Sequence, residues 1–452
     1  MANVQVNTRS KLALLGGGKS VESNPKDVFS WPIITREHEE AVLEVLRARS
    51  MSGLDVTKKF EMAYAKKLGM EYGLGCNNGT AALHCAYFGL GIGYGDEVIG
   101  PSMTYWATLL PVYSLGATVV FADVDPNTLC INPNDIEHRI TKRTKAIVVV
   151  HWGGMPADMD NILSIAQKHN LKVIEDFSHA HGALYKGKEV GTFGDVSVAS
   201  LMSAKSFAVG EAGIMFTNVQ YVYERALLFG HYERHNDIQS EELKKFQGLP
   251  CGGYKYRMHQ LSSAFGLVTL KLYDKQMSDI DNAMNYFCDL IEEIPGITPV
   301  RPPKGSNTTK GGWFAWNALY DSEKFEGLTL QKFAEAVEAE GSICWAGGSS
   351  PLHLHPVFQT MDIYNHGRPT RIANSDNNSD YLKQGDGSLP VTESLKNIVL
   401  RGPWFRRYYP EIIKEHAKAY EKVASNYKDL LPYDDVVTFS GGYSSSFRKQ
   451  SK

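Results

Sequence analysis

The sequence predicts an α/β protein in which a mainly parallel sheet is flanked by helices and joined to a smaller C-terminal α+β domain. Three observations carry this expectation. From about residue 53 to residue 270, short apolar segments alternate with helical stretches, the order expected of repeated strand and helix units. Several of these segments, Lys145 to Val150 above all, are nearly continuously apolar, as strands covered on both faces must be. After Leu270 the composition changes to a long helical pattern through Asp281 to Glu293, followed by Pro295 and the loop Arg301 to Gly312.

Taken in order, residues 1 to about 34 are rich in Gly, Ser and Pro and read as an arm, and a charged helical pattern from Glu37 to Arg49 leads into Ser52-Gly53. Ala81 to Leu90 reads as a helix, Glu97-Val98-Ile99 and Ala117 to Ala122 as strands, and Lys145 to Val150 as a third strand. Asn161 to His169 forms a helix and Leu171 to Glu175 another buried strand. The division that follows is an arm and helix over 1–50, a large domain over 51–274 and a small domain over 275–433. Residues 366–388, rich in Asn, Asp and Gly, read as a loop, and 434–452 as a disordered tail.

With 452 residues, 43% of them hydrophobic, the chain can fill two cores. A formal net charge of −3 offers no cationic excess for a nucleic-acid backbone or an anionic membrane. The six cysteines form no CxxC pair, which fits reduced thiols and a cytoplasmic protein. Leu12 to Leu15 is too short for a signal-peptide core, and no segment approaches the ~20 apolar residues of a membrane span.

The most informative residue is Lys205, in Ser200-Leu201-Met202-Ser203-Ala204-Lys205. An earlier strand ends in Ile174-Glu175-Asp176, and a still earlier turn reads Asn78-Gly79-Thr80. An amine, a strand-end carboxylate and a phosphate-type turn are the parts needed to hold pyridoxal phosphate. The amine must lie below the ordinary lysine pKa of about 10.4 to act as nucleophile and base. Asp176 stands at the carboxyl end of a strand, where ligands of open parallel sheets gather, and could pair with a pyridinium nitrogen. His179 could bond the ring hydroxyl or stack. Gly79 and Thr80 open a helix whose free N–H groups favour phosphate, and Ser200 could add a hydroxyl. Tyr105 could stack on a flat ring. Singly, each has a plain alternative: a surface lysine, a helix cap at Asp176 or Asn78, a buried histidine, a core aromatic.

As an ordered set the motifs resemble the DegT/DnrJ/StrS sugar aminotransferases, pyridoxal-phosphate enzymes of fold type I. The resemblance runs through Ser52-Gly53, Asn78 to Leu83, Gly95 to Ile99, Asp123-Val124-Asp125, His151 to Gly154, Glu175 to Ala183, Ser200 to Lys205 and Gly253 to Met258. It covers most of residues 35–430. It implies a seven-stranded-type sheet, Lys205 as the Schiff-base lysine and Asp176 as the partner of the pyridine nitrogen. It further implies His179 near the ring oxygen, Tyr105 as the stacking aromatic, and Gly79, Thr80 and Ser200 as phosphate ligands beside Asn78. The family works as homodimers in which the Gly253 to Arg257 segment reaches the neighbouring subunit's phosphate. Here Lys255 stands where Asn is frequent, a longer cation in place of an amide. Ala212 replaces a glycine in Gly210-Glu211-Ala212-Gly213. Relatives with histidine at the lysine position dehydrate their substrates, so Lys205 implies transamination. The implied donor is glutamate or glutamine, and the implied acceptor a nucleotide-linked keto-sugar or a keto-cyclitol. Trp152, His231 and His353 are candidate lining residues for that acceptor.

Other readings have weaker signals. A metal hydrolase would rest on His231-Tyr232-Glu233-Arg234-His235 and His353-Leu354-His355, but the glutamate is not in the HExxH position. Gly16-Gly17-Gly18-Lys19-Ser20 has Ala13 and Val21 where a P-loop and a dinucleotide fingerprint require glycine. A non-catalytic relative that only binds the cofactor is disfavoured by the intact Lys205 and Asp176.

Overall fold

The structure is a computed structural model that describes residues 11–23, 27–348, 350–373 and 384–434. The tail expected over 434–452 lies outside the described residues from 435 on, as does 374–383 of the expected loop.

Seven strands form the principal sheet: β1 Tyr72–Cys76, β2 Glu97–Pro101, β3 Thr118–Ala122, β4 Thr144–Val150, β5 Lys172–Asp176, β6 Val196–Ser200 and β7 Gly213–Thr217. Their spatial order is β1-β7-β6-β5-β4-β2-β3. The run from β6 to β3 is parallel, and β7 lies antiparallel to both its neighbours. Every residue of β2 and β3 is buried. Those strands carry no alternation because helices or loops cover both faces. The β3 edge is closed by a side chain: Gln384 accepts the Phe121 N–H at 2.8 Å and donates to the Phe121 carbonyl at 2.6 Å, as a strand would.

Local chemistry sets the helix ends. α1 (Arg36–Arg47) and α2 (Asp55–Leu68) precede the sheet, and α2 stops at Gly69, whose φ of 70° fits the left-handed cap. α3 (Gly79–Gly89) starts where the Asn78 side chain accepts the Ala81 N–H at 2.8 Å. α4 (Met159–His169) starts at Asp158 and ends at Asn170, left-handed at φ 53°. α5 (Gln220–Gly230) packs on α3.

The helical pattern expected over Asp281 to Glu293 is the last third of one 32-residue helix, α6 (Gln260–Ile291), which crosses position 274 without a break. Its first half packs on α1 and α2, and its end enters a second core. That core is built around a four-stranded antiparallel sheet of β8 (Ile297–Pro299), β9 (Trp316–Tyr320), β10 (Trp345–Ala346) and β11 (Val399–Gly402), in the order β8-β9-β11-β10. α7 (Leu330–Ala339) and α8 (Pro410–Ser425) cover it. Leu12, Leu15 and Val28 of the arm are buried in this second core.

Candidate active site

The carboxyl ends of the parallel strands deliver the site. Asp176 is in register with Val150 of β4 and Val198 of β6, so the segments after these three strands share one edge. Asp176 is 5% exposed. Its Oδ2 accepts the Thr108 hydroxyl at 2.9 Å and its Oδ1 the Ser178 N–H at 3.1 Å. The residue before it is anchored still more firmly. Glu175 accepts N–H groups of Gly191, Phe193 and Gly194 at 2.6–2.8 Å and lies 3.1 Å from His151 Nε2, with both side chains fully buried. Burial opposes the Glu175 charge, but His151 and these N–H groups outweigh it and hold its carboxyl below the ordinary range.

Lys205 lies in a tight turn after β6, its N–H on the Met202 carbonyl at 2.8 Å and its own carbonyl accepting the Trp31 indole N–H at 2.7 Å. Burial disfavours its charged form and the Asp176 carboxylate favours it; burial dominates, and the pKa falls to about 8. Its Nζ sits 4.1 Å from the centre of the Phe314 ring and makes no hydrogen bond to any of the described residues. The His179 imidazole stacks on the same phenyl ring at 3.8 Å with 3° between planes, and Trp152 meets His179 edge-on at 5.1 Å. Burial, then Lys205 and Arg401, hold the His179 pKa well below its usual value, so the ring is neutral. Its Nδ1 is buried and unpartnered.

The turn before α3 closes on β6. A Cβ on Gly79 would meet Ser200 Cβ at 2.8 Å, so glycine is required by the close approach. Thr80 is exposed at the first turn of α3, and the Ser200 N–H is held by the Ser178 hydroxyl at 2.8 Å. His181, two residues beyond His179, faces the Ser200 carbonyl with Nε2 at 3.0 Å. It must donate there, which leaves Nδ1 to accept the Tyr64 hydroxyl at 3.0 Å.

The structure thus brings Lys205, Asp176, His179 and Trp152 together, with Asn78, Gly79, Thr80 and Ser200 at the adjoining helix start. Other candidates lie elsewhere in this chain. Tyr105 is 45% exposed and rests against Trp106 at 4.7 Å, on the loop that also supplies Thr108. Lys255 is exposed, with its amine 5.1 Å from the Tyr232 ring centre. His231 is buried behind β1 and donates from Nε2 to the Gly75 carbonyl at 3.0 Å. His353 lies 2.7 Å from the Ser102 hydroxyl and 2.9 Å from Glu393, where it fixes the start of the loop that carries Tyr105. His235 accepts the Gly248 N–H, and among the described residues no group of three or more side chains could hold a metal ion.

Sequence reasoning missed Thr108, Phe314 and Trp31. Only Phe314 had a local signal. It follows Gly311-Gly312-Trp313, and a Cβ on either glycine would collide with the backbone of Gly182 or with Ser206.

This fold and site define a fold type I enzyme that uses pyridoxal phosphate. The cofactor fits: an unpartnered imidazole nitrogen, a buried carboxylate, a partly neutral amine and a helix N-terminus cleared by glycine border one edge of the sheet. The model of the DegT/DnrJ/EryC1/StrS aminotransferase family matches residues 32–397, and the chain belongs to that family. The spore coat polysaccharide biosynthesis protein SpsC of Bacillus subtilis is 33% identical over 82% of this chain and 93% of its own. GDP-perosamine synthase of Caulobacter vibrioides is 36% identical over 75% and 86%. Among solved structures, an aminotransferase from Psychrobacter cryohalolentis superposes with a TM-score of 0.75 at 27% identity, covering 88% of this chain and 99% of that one. The protein is a pyridoxal-phosphate-dependent aminotransferase. None of its described helices is long and apolar enough to cross a membrane.

Proposed function

We propose that this chain transfers an amino group from glutamate or glutamine to a keto-sugar, nucleotide-linked, or to a keto-cyclitol, acting in the cytoplasm as a homodimer. The observation that carries the reading is Lys205: a buried amine with a pKa of about 8, electrostatically coupled to the Asp176 carboxylate and facing an aromatic wall. The division into an arm, a large domain ending near 274 and a small domain is part of the same proposal. It is supported by the two separate sheets.

Bound pyridoxal phosphate supplies an aldehyde that receives the amino group and a ring that withdraws electrons. Lys205 would carry the aldehyde at rest. Asp176, held by Thr108 and Ser178, would face the ring nitrogen and keep its proton. The free Nδ1 of His179 would meet the ring oxygen, while Asn78, Gly79, Thr80 and Ser200 would take the phosphate. With a pKa of about 8, roughly a tenth of Lys205 is unprotonated at pH 7, far more than of an ordinary lysine, so its Nζ can accept the proton from the donor's α-carbon and later give one to the acceptor's carbon. In sum the donor CH–NH2 becomes C=O and the acceptor C=O becomes CH–NH2. Phe314, His179 and Trp152 exclude water from that transfer. Tyr105 and Lys255 are exposed in the single chain, which suits roles completed when a second subunit covers them.

The test is to add glutamate and glutamine separately to the yellow enzyme, follow loss of its visible band, and present the aminated form to a panel of keto-sugars and keto-cyclitols. A band that no amino donor discharges would leave only the cofactor-binding, non-catalytic reading.

A further inference from the structure

His181 is fully buried between two groups that fix which of its nitrogens carries the hydrogen. Nε2 lies 3.0 Å from the Ser200 carbonyl, which can only accept, and Nδ1 lies 3.0 Å from the Tyr64 hydroxyl. Burial and the neighbouring Lys205 charge take the ring's pKa down to about 3 against the pull of the Ser200 carbonyl, so the imidazole is neutral and donates in one direction only. Tyr64 is wedged in turn, stacked on Phe207 at 5.0 Å and edge-on to Phe216 at 5.0 Å. A buried neutral imidazole with both nitrogens engaged has no position free for chemistry, and serves to hold another group in place.

What it holds is the end of β6. The Ser200 N–H donates to the Ser178 hydroxyl at 2.8 Å and the Ser200 carbonyl accepts from His181, so both backbone groups of one residue are taken by side chains of a single turn. That turn starts at Asp176, and Ser178 gives its own N–H to Asp176 Oδ1 at 3.1 Å. The register of β5 with β6 ends at Asp176 and Val198, two residues short of Ser200. On its other side Ser200 pairs with Gly213 of β7, a strand that does not carry Asp176. The strand ladder therefore stops before it can set the distance from the carboxylate to the Ser200 hydroxyl, and the turn takes over. A carboxylate for a ring nitrogen and a hydroxyl for a phosphate, both meeting one small molecule, must stand at one spacing, and a misplacement of about 1 Å is costly. Gly79, where a Cβ would meet Ser200 Cβ at 2.8 Å, brings the start of α3 against the same residue.

We propose that the turn from Asp176 to His181 is the gauge that sets the spacing between Asp176 and Ser200, and that His181 is a positioning residue for the phosphate end of the cofactor. This rests on the phosphate role given to Ser200 in the transaminase reading and deepens it. His181 acts through the Ser200 backbone, and Tyr64, from α2, acts through His181 by keeping the hydrogen on Nε2.

The experiment titrates pyridoxal phosphate and pyridoxal, the same ring and aldehyde without the phosphate, into the cofactor-free full-length chain, followed by tryptophan fluorescence, in wild type, His181→Met, His181→Gln, Tyr64→Phe and Ser200→Ala. A buried carbonyl left without its donor predicts about 30-fold weaker binding of pyridoxal phosphate by His181→Met, with pyridoxal within about twofold of wild type. His181→Gln, whose amide N–H can take the place of Nε2, should return to within about threefold of wild type, and Tyr64→Phe should lose about threefold, again for the phosphate ester alone. Equal losses of the two ligands in His181→Met, or a glutamine variant no better than the methionine one, would overturn the positioning role. Should His181→Met fail to fold, Tyr64→Phe carries the same comparison, and an equal loss of both ligands there overturns it as well. Ser200→Ala separates the gauge from the assignment beneath it. Unchanged binding of pyridoxal phosphate by that variant would sink the phosphate role of Ser200 and the proposal with it, whereas a loss there without one in His181→Met would sink the gauge alone.

Discussion

Two buried lysines, Lys205 and Lys310, are alike in every property usually taken to mark a reactive amine. Burial lowers both to a pKa of about 8, and each amine sits over an aromatic ring, Phe314 at 4.1 Å and Trp313 at 3.9 Å. They differ in what surrounds the nitrogen. Lys310 Nζ donates to the Val300 carbonyl at 3.0 Å, among the buried thiols of Cys130 and Cys288. Among the described residues Lys205 has no such acceptor; it is coupled to the Asp176 carboxylate and shares the Phe314 ring with an imidazole that has a free nitrogen. A depressed pKa reports burial. Unfilled hydrogen-bonding capacity around one space reports a site.

The comparison breaks most sharply by deletion. Lys205→Ala should lower amine transfer by about 10^4-fold and prevent borohydride from fixing the cofactor to the protein, whereas Lys310→Met should leave both intact. Covalent labelling of the peptide containing 205 in the alanine variant would end the assignment. Next in size, Asp176→Asn should cost roughly 100-fold in amine transfer. It should also shift the amine in a defined direction. The Asp176 carboxylate raises the Lys205 pKa, so its loss should move the midpoint of competitive amine labelling of the cofactor-free protein below the wild-type value of about 8. Lys310, 1% exposed, should remain unlabelled while the protein is folded.

Thr108→Val should give a smaller loss, about tenfold, because it removes one hydroxyl from Asp176 and leaves the Ser178 N–H in place. The smallest effect is on stability. Both lysines have folded pKa values near 8, below their unfolded values, so between about pH 8 and pH 10.4 the unfolded chain binds more protons and stability rises with pH. Lys310→Met should flatten that rise in thermal melts across the window. Near pH 7 it should be neutral or mildly stabilising, since a buried charge is replaced by an apolar chain. A melting temperature that fell by more than about 4 °C at pH 7 would mean the Val300 contact outweighs the charge burial.

Much of the sheet was legible because its strands are short, apolar on both faces and bounded by caps whose chemistry is local. Predicted strand limits lie within one or two residues of β2, β3, β4 and β5. Asn78 announced the start of α3 for the same reason. The long helix α6 was read only over its last third. Its buried residues change direction along its length, from Ser263 and Gly266 facing α2 to Met284 and Phe287 in the second core, so no single apolar stripe marks it. His231 and His353 looked like lining residues because isolated histidines attract functional readings, whereas each is engaged by nearby polar groups at Gly75 or at Ser102 and Glu393.

What the sequence determined by itself was the lysine and aspartate proposed to react and the ground on which they stand. A lysine after one apolar strand, an aspartate ending another and a glycine opening a helix are fixed by covalent order and by the rule that parallel strands release their ligands' contacts at one edge. Tertiary structure alone decided what encloses that pair. Trp31 reaches Lys205 across 174 positions and Arg406 reaches Ala204 across 202. Contacts at such separations leave no periodic or local trace, because only the packing of the two cores against each other sets them.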